Sequence, residues 1–204
     1  MKYQSTKIIE LGSCAFRQWR ADHSHCHFIH GYRLVAKFWF ACNNLDDKNW
    51  VVDFGGLKGL KQILEKQFDH TLCVAADDPL LSHFKQLHEL GAADLRIMEE
   101  GVGIEKTAEW CFQKANDYIK EASNNRCWVE KVEVWEHEKN SAIVSAGCCR
   151  VPIHNPYVST QNEDTSLASA PSTLAESVDN NPARVAPNVT SGLSNPFGGT
   201  SWGL

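Results

Sequence analysis

Proline is nearly missing from residues 1–150: only Pro79 falls there, and the other six of the seven lie beyond Arg150. Long apolar runs are missing too, so no stretch is suited to crossing a bilayer. The opening MKYQSTKIIELG lacks the apolar core of a secretory leader. There is no CxxC pair among the eight cysteines, which excludes a zinc ribbon or finger. Nor is there a basic field. Against 20 Lys and Arg stand 25 Asp and Glu, a formal charge of −5, which argues against nucleic acid or a membrane surface as partner. These absences together suggest a cytoplasmic protein. Cytoplasmic thiols stay reduced, so the cysteines read as free thiols, ligands or catalysts. Cys42, Cys73, Cys111 and Cys127 lie in apolar contexts and read as small buried hydrophobes.

The proline distribution divides the chain. Residues 151–204 are rich in Ser, Asn, Pro and Thr, contain no Lys and show no lasting periodicity. Such a segment buries too little apolar surface to offset ordering entropy, so a disordered tail is expected there. Residues 1–150 carry the fold. Leu34, Ala36, Phe38 and Phe40 recur with a period of two, which reads as a strand over Gly31–Cys42. Leu57, Leu60, Ile63, Leu64 and Phe68 keep helical spacing behind Asp53 as N-cap. A short helix is expected after Asp78-Pro79 and ends before Gly91. LRIM reads as a short strand or link, and Ile104, Ala108, Cys111, Phe112, Ala115 and Ile119 mark an amphipathic helix. In CWVEKVEVWEHE, alternation places Trp128, Val132 and Val134 on one face and Val129, Lys131, Glu133 and Trp135 on the other. SAIVSAG follows as the second arm of a hairpin. The order strand, strand, helices, strand, strand implies an α+β fold with an antiparallel sheet and helices on one face.

Histidine is where the chain is dense. His23, His25, His27 and His30, four of the nine, fall within eight residues around Cys26. A cysteine serves as nucleophile, base or metal ligand when neighbouring cations or a metal favour the thiolate. Asp69 beside His70, at a helix end, has the form of an acid–base relay, in which a carboxylate orients an imidazole. Glu136 ends a strand built of Val and Trp. A carboxylate so placed can accept two parallel hydrogen bonds from an amino-pyrimidine edge. Glu105, at the start of the last helix, either complements the helix dipole or belongs to a site.

In order along the chain stand Cys26 with His30-Gly31, VVDFGGLK (Val51–Lys58), Phe68-Asp69-His70, Glu105, and VEVWEH with Glu136. This series resembles the 6-pyruvoyl-tetrahydropterin synthase family, including its queuosine-pathway branch, the 6-carboxy-tetrahydropterin synthases. The resemblance runs from about Gly12 to Gly147. It implies the tunnelling fold (T-fold), a four-stranded antiparallel sheet backed by helices, with sheets of several subunits joined into a barrel and active sites between subunits. It implies that Cys26 is the catalytic cysteine, that Asp69 and His70 form the relay, that Glu136 anchors a pterin ring, and that Glu105 lies near the substrate.

The resemblance also implies zinc held by three histidines, and here the chain departs from the pattern. In GSCAFRQW, Phe16 stands at the first ligand position, with Arg17 kept after it; Tyr32 stands at the third, and only His30 remains. Zinc at His30 with help from His25, His23 and His27 being lesser substitutes, is the expectation. Without zinc, a cation such as Arg17 or His25 must polarise the substrate. The implied activity is that of a lyase converting 7,8-dihydroneopterin triphosphate to 6-carboxy-tetrahydropterin, on the route to queuosine and other 7-deazaguanines. The alternatives are the pyruvoyl-forming triphosphate lyase and a non-catalytic pterin- or purine-binding protein. The expected partners are a small pterin substrate and further copies of the chain.

Overall fold

The structure, a computed structural model, describes residues 1–147. The expected tail at 151–204 lies outside the described residues. Six strands and three α-helices follow in the order β1 (Tyr3–Phe16), β2 (His30–Cys42), α1 (Lys58–Phe68), β3 (Thr71–Ala75), α2 (Leu81–Glu89), β4 (Leu95–Met98), α3 (Ile104–Ala122), β5 (Cys127–His137) and β6 (Asn140–Ser145). One sheet holds all six strands in the order β4-β3-β1-β2-β5-β6.

The period of two in β2 has the predicted effect: Leu34, Ala36, Phe38 and Phe40 are wholly buried. Burying one such large side chain is worth about 1.5–3 kcal/mol, so the strand is held by its apolar face. In α1, Leu60, Leu64 and Phe68, spaced i, i+4, i+8, face the same core. Asp53 is not the N-cap of this helix, which begins behind Leu57; its carboxylate instead accepts from the Gly55 amide at 2.8 Å, at the 3₁₀ turn that leads into the helix. α3 buries Ala108, Cys111, Ala115 and Ile119, and packs on β5 and β6, while α1 packs on β1. Cys42, Cys73, Cys111 and Cys127 are buried, as their contexts suggested.

The four antiparallel strands β1, β2, β5 and β6 are present, but the sheet has two more and is mixed. β3 runs parallel to β1 along Cys14–Phe16, and β4 runs parallel to β3. Parallel neighbours need a crossover, and α2 supplies it. This also corrects the placement of helices on one face. Cys73 belongs to the main core with α1 and α3, whereas Leu72 and Val74 pack against Phe84 of α2 on the other side. With both faces covered, all five residues of β3 are buried. A fully buried strand has no alternation, and TLCVA accordingly carries none.

The alternation expected in β5 is also corrected. Val129 is buried together with Val132 and Val134, and Trp128 lies on the other face. The register slips between Trp39/Lys131 and Phe40/Val129, leaving Glu130 as the extra residue of a bulge. One inserted residue reverses the side-chain phase of all that precedes it.

Candidate active site

Asp69 and His70 lie where α1 gives way to β3. The Asp69 amide still donates to the Glu65 carbonyl at 2.7 Å, and the His70 amide donates to the Ser13 carbonyl at 2.7 Å. His70 takes a left-handed backbone, φ 56°, which is uncommon for a residue with a side chain. The turn aims the Asp69 carboxylate at β1, where Oδ1 accepts from the Ser13 amide at 3.1 Å and lies 2.9 Å from His70 Nδ1. Room for it comes from a bulge. β1 pairs Glu10 with Val35 and then Gly12 with Leu34, so Leu11 is the extra residue and Gly12 swings to φ 102°. The His70 side chain is 85% exposed. Asp69 and His70 are therefore brought together, with the imidazole facing outward.

Cys26 is half-buried on a 3₁₀ turn, His25–His27. Its amide donates to Ser24 Oγ at 3.2 Å, and its carbonyl accepts from the Gln18 amide at 2.9 Å. Its charge is felt at Tyr32. Burial first, then the charges of Glu136 and Cys26, push the Tyr32 phenol above its ordinary value and keep it protonated. Cys26 and Glu136, remote in sequence, thus act on one hydroxyl. Glu136 owes its position to another bulge: β5 pairs Trp135 with Ser141 and His137 with Asn140, leaving Glu136 as the extra residue. Bulges commonly re-aim a side chain at a functional site.

The three positions at which the resemblance implies zinc ligands do cluster. Phe16 and His30 face each other across β1 and β2, with ring centroids 4.9 Å apart. His30 and Tyr32 are 5.6 Å apart, Phe16 and Tyr32 6.3 Å, and Tyr32 and His137 6.0 Å. The donors do not fit a metal, however. Phe16 presents only carbon, and Tyr32 is held as a neutral phenol. His30 donates from Nδ1 to the Phe28 carbonyl at 2.8 Å, which leaves one nitrogen. The other histidines of the segment have their own surroundings. His25 is exposed, His23 is 83% exposed beside Asp22, and His27 donates from Nδ1 to the Trp19 carbonyl at 2.9 Å. Among the described residues, no three His, Cys, Asp or Glu side chains gather as a cation site. Rings of Phe16 and Tyr32 stand beside His30 at the two positions where the resemblance implies imidazoles, so these three residues supply a single nitrogen donor.

Arg17, a candidate cation, is also corrected: Nε donates to the buried Asp78 Oδ2 at 2.8 Å, so it is committed away from the site. Glu105 is exposed in the first turn of α3. Its carboxylate and the Gln18 side chain both border Gly103, where a Cβ would stand 2.5 Å from Gln18 Nε2 and 3.7 Å from Glu105 Oε2. Among the described contacts, none links His70 to Cys26, Tyr32 or Glu136. A cleft of about 460 Å³, lined by Tyr3, Ser5, Trp50, Val52 and Phe54 among others, contains none of the candidate residues. Gly12, Gln18, Asp77, Asp78 and Gly103 support the site without having been legible in the sequence. Their signal is long-range complementarity, which spacing along a chain does not carry.

An α+β sheet with this helix arrangement and this set of residues defines a T-fold protein of the pterin-synthase class. The sequence profile of the 6-pyruvoyl tetrahydropterin synthase family matches residues 11–147, and the chain belongs to that family. Curated relatives include 6-carboxy-5,6,7,8-tetrahydropterin synthases of Rickettsia conorii, 41% identical over 54 residues, and of Rickettsia felis, 39% identical over the same length. Each match covers 26% of this chain and 39% of the relative. Among solved structures, an uncharacterized protein of Wolinella succinogenes superposes with a TM-score of 0.62 at 19% identity, covering 72% of this chain and 99% of that one. The 6-pyruvoyl tetrahydropterin synthase of Caenorhabditis elegans gives 0.50 at 17% identity, covering 71% and 96%. These likenesses establish the fold. Among the described residues, no helix is long and apolar enough to cross a membrane.

Proposed function

We propose that this chain is a 6-carboxy-tetrahydropterin synthase-like lyase acting on 7,8-dihydroneopterin triphosphate, in the route to queuosine and related 7-deazaguanines. The observation that carries the proposal is that Cys26 and Glu136, remote in sequence, both lie close enough to Tyr32 for their charges to act on its phenol. A carboxylate and a thiol within electrostatic reach of one phenol are the groups that a site holding a pterin and working on its side chain requires. Glu136 receives the amino-pyrimidine edge. Cys26, as thiolate, takes the proton from the side-chain carbon next to the ring. Tyr32 donates a hydrogen bond to the oxygen on which charge develops. No step is assigned to zinc, since the donors at Phe16, His30 and Tyr32 do not suit it.

Asp69 and His70 return the proton in this reading, and they do so from a neighbouring subunit. His70 faces out of its own protomer, and the Tyr3–Ser13 stretch of β1 pairs with β2 alone. Sheet edges of this kind are covered or paired in natural proteins. A closed homo-oligomer joined through such edges would carry one copy's Asp69-His70 to another copy's Cys26. Residues 1–150 form the catalytic domain in this proposal, and 151–204 an appended tail.

A second reading, a non-catalytic pterin- or purine-binding protein, is favoured by Phe16 and Tyr32 at the ligand positions. Mass analysis of products from 7,8-dihydroneopterin triphosphate, with and without chelator, separates the two. Formation of 6-carboxy-tetrahydropterin that persists in chelator supports the lyase. A pyruvoyl product assigns the other family activity, and tight binding without turnover under any metal condition assigns the binding protein.

A further inference from the structure

The loop between β1 and β2 has no apolar anchor: from Gln18 to Ile29 no residue is buried. Something other than a hydrophobic core must fix the turn that carries Cys26. Three polar side chains at its start, Arg17, Trp19 and Arg20, tie it to two adjacent aspartates after β3. Asp78 is 4% exposed; Oδ1 accepts from the Leu80 amide at 2.8 Å and Oδ2 from Arg17 Nε at 2.8 Å. The Arg17 guanidinium lies 6.0 Å from the Phe84 ring, so α2 closes over the pair. Asp77 accepts from the Trp19 indole at 3.1 Å and pairs with Arg20, whose guanidinium lies 4.3 Å over the Trp19 ring.

The segment so held passes its position on to Cys26. Gln18, between Arg17 and Trp19, donates its amide to the Cys26 carbonyl. The Trp19 carbonyl accepts from His27, the residue after Cys26. Gln18 also packs on Gly103 at the head of α3, next to Glu105. An ion pair as buried as Arg17–Asp78 adds little net stability, because desolvating both charges offsets their attraction. An exposed pair such as Arg20–Asp77 adds little as well, because water screens it. What such contacts do supply is one defined geometry.

We propose that Asp77 and Asp78 are positioning residues for Cys26. They act through Arg17, Trp19 and Arg20 and set where the thiol stands relative to Tyr32 and Glu136. This rests on the reading of Cys26 as the reacting thiol. It also gives the β3–α2–β4 segment a task, since the strand that begins beside Asp69-His70 leads into the aspartates that place Cys26.

The test uses the full chain with Asp77→Asn, Asp78→Asn and the conservative Asp77→Glu. The rate of Cys26 alkylation by iodoacetamide is followed across pH by mass spectrometry of its peptide. The buried Cys14, Cys42, Cys73, Cys111 and Cys127 report any general loosening. Asp77→Asn should leave those five protected and the melting temperature near that of the wild type. Cys26 should react at least about threefold faster with a displaced pH profile, and kcat should fall about tenfold with little change in KM. Asp77→Glu should recover much of both. An unchanged Cys26 profile in Asp77→Asn and Asp78→Asn overturns the proposal, and so does parallel exposure of the buried cysteines in Asp77→Asn. If Asp78→Asn does not fold, Asp77→Asn decides. If the wild type proves to bind pterin without turnover, the alkylation measurement stands unaffected, so failure of the lyase reading is distinguished from failure of this one.

Discussion

Gly12 and Asp69 are packed so closely that a Cβ on residue 12 would stand 2.2 Å from Asp69 Oδ1 and 2.5 Å from its Cβ. The bulge in β1 and the carboxylate of the Asp-His pair are therefore one structural unit. Neither can change without the other.

Gly12→Ala should break that unit. The substitution meets both a positive φ, which costs about 1 kcal/mol or more for a non-glycine residue, and the clash with Asp69. A melting temperature several degrees lower is expected. If the Asp69-His70 pair serves the reaction, kcat should fall at least about tenfold while pterin affinity holds. Thermal melts beside fluorescence titration with a pterin check both. Full activity with a lowered melting temperature would make the contact purely structural.

Cys26→Ala and His70→Ala should abolish turnover and keep pterin binding within about threefold of wild type, the pattern of groups needed in the transition state. Glu136→Gln should weaken binding itself by at least about tenfold, since a charge-assisted bidentate contact is lost. Measuring Kd and turnover on each variant reads the roles directly. Equal loss of binding in all three would show that the site had collapsed rather than lost a function.

Restoring the missing nitrogens should restore a metal. Three imidazoles on one zinc, with Zn–N near 2.0–2.1 Å, place their ring centroids roughly 5 Å apart. The rings at Phe16, His30 and Tyr32 stand 4.9–6.3 Å apart. The double variant Phe16→His with Tyr32→His should therefore bind zinc near one equivalent per chain, whereas the wild type should hold well below that by elemental analysis. Stoichiometric zinc in the wild type, lost in His30→Ala, would show that the described donors are not the whole set.

Acid should weaken the folded chain as pH falls below about 4–5. Arg96 holds Asp94, and Lys2 then Trp128 hold Glu130, below their ordinary values. Asp77 is held low as well: burial opposes its charge, but Trp19 and Arg20 outweigh burial. A carboxyl depressed in the folded state binds fewer protons there than when unfolded. Its stabilisation is thus fully present above the ordinary values of 3.8 for Asp and 4.5 for Glu, and it is lost as pH falls through the folded values. Melting temperatures should be level from pH 7 to 5 and decline below. A decline that begins above pH 6 would assign the loss to histidine instead.

Local pattern was enough for much of this protein. The burial of Leu34, Ala36, Phe38 and Phe40, the apolar face of α1 and the adjacency of Asp69 to His70 follow from side-chain period and chain neighbourhood, which the sequence carries directly. So do the candidates Cys26 and Glu136, whose order along the chain resembles the family to which it belongs. What sequence could not carry was register. Single extra residues at Leu11, Glu130 and Glu136 reverse or re-aim everything on their strands. A bulge has no side-chain signature of its own, because it is defined by the partner strand. β3 escaped notice because burial on both faces erases alternation. Rings of Phe16 and Tyr32 stand beside His30 at the implied ligand positions, and Arg17 is taken by Asp78 rather than left for a substrate. Those outcomes depend on which residues meet across the fold, and only packing in three dimensions brings them together.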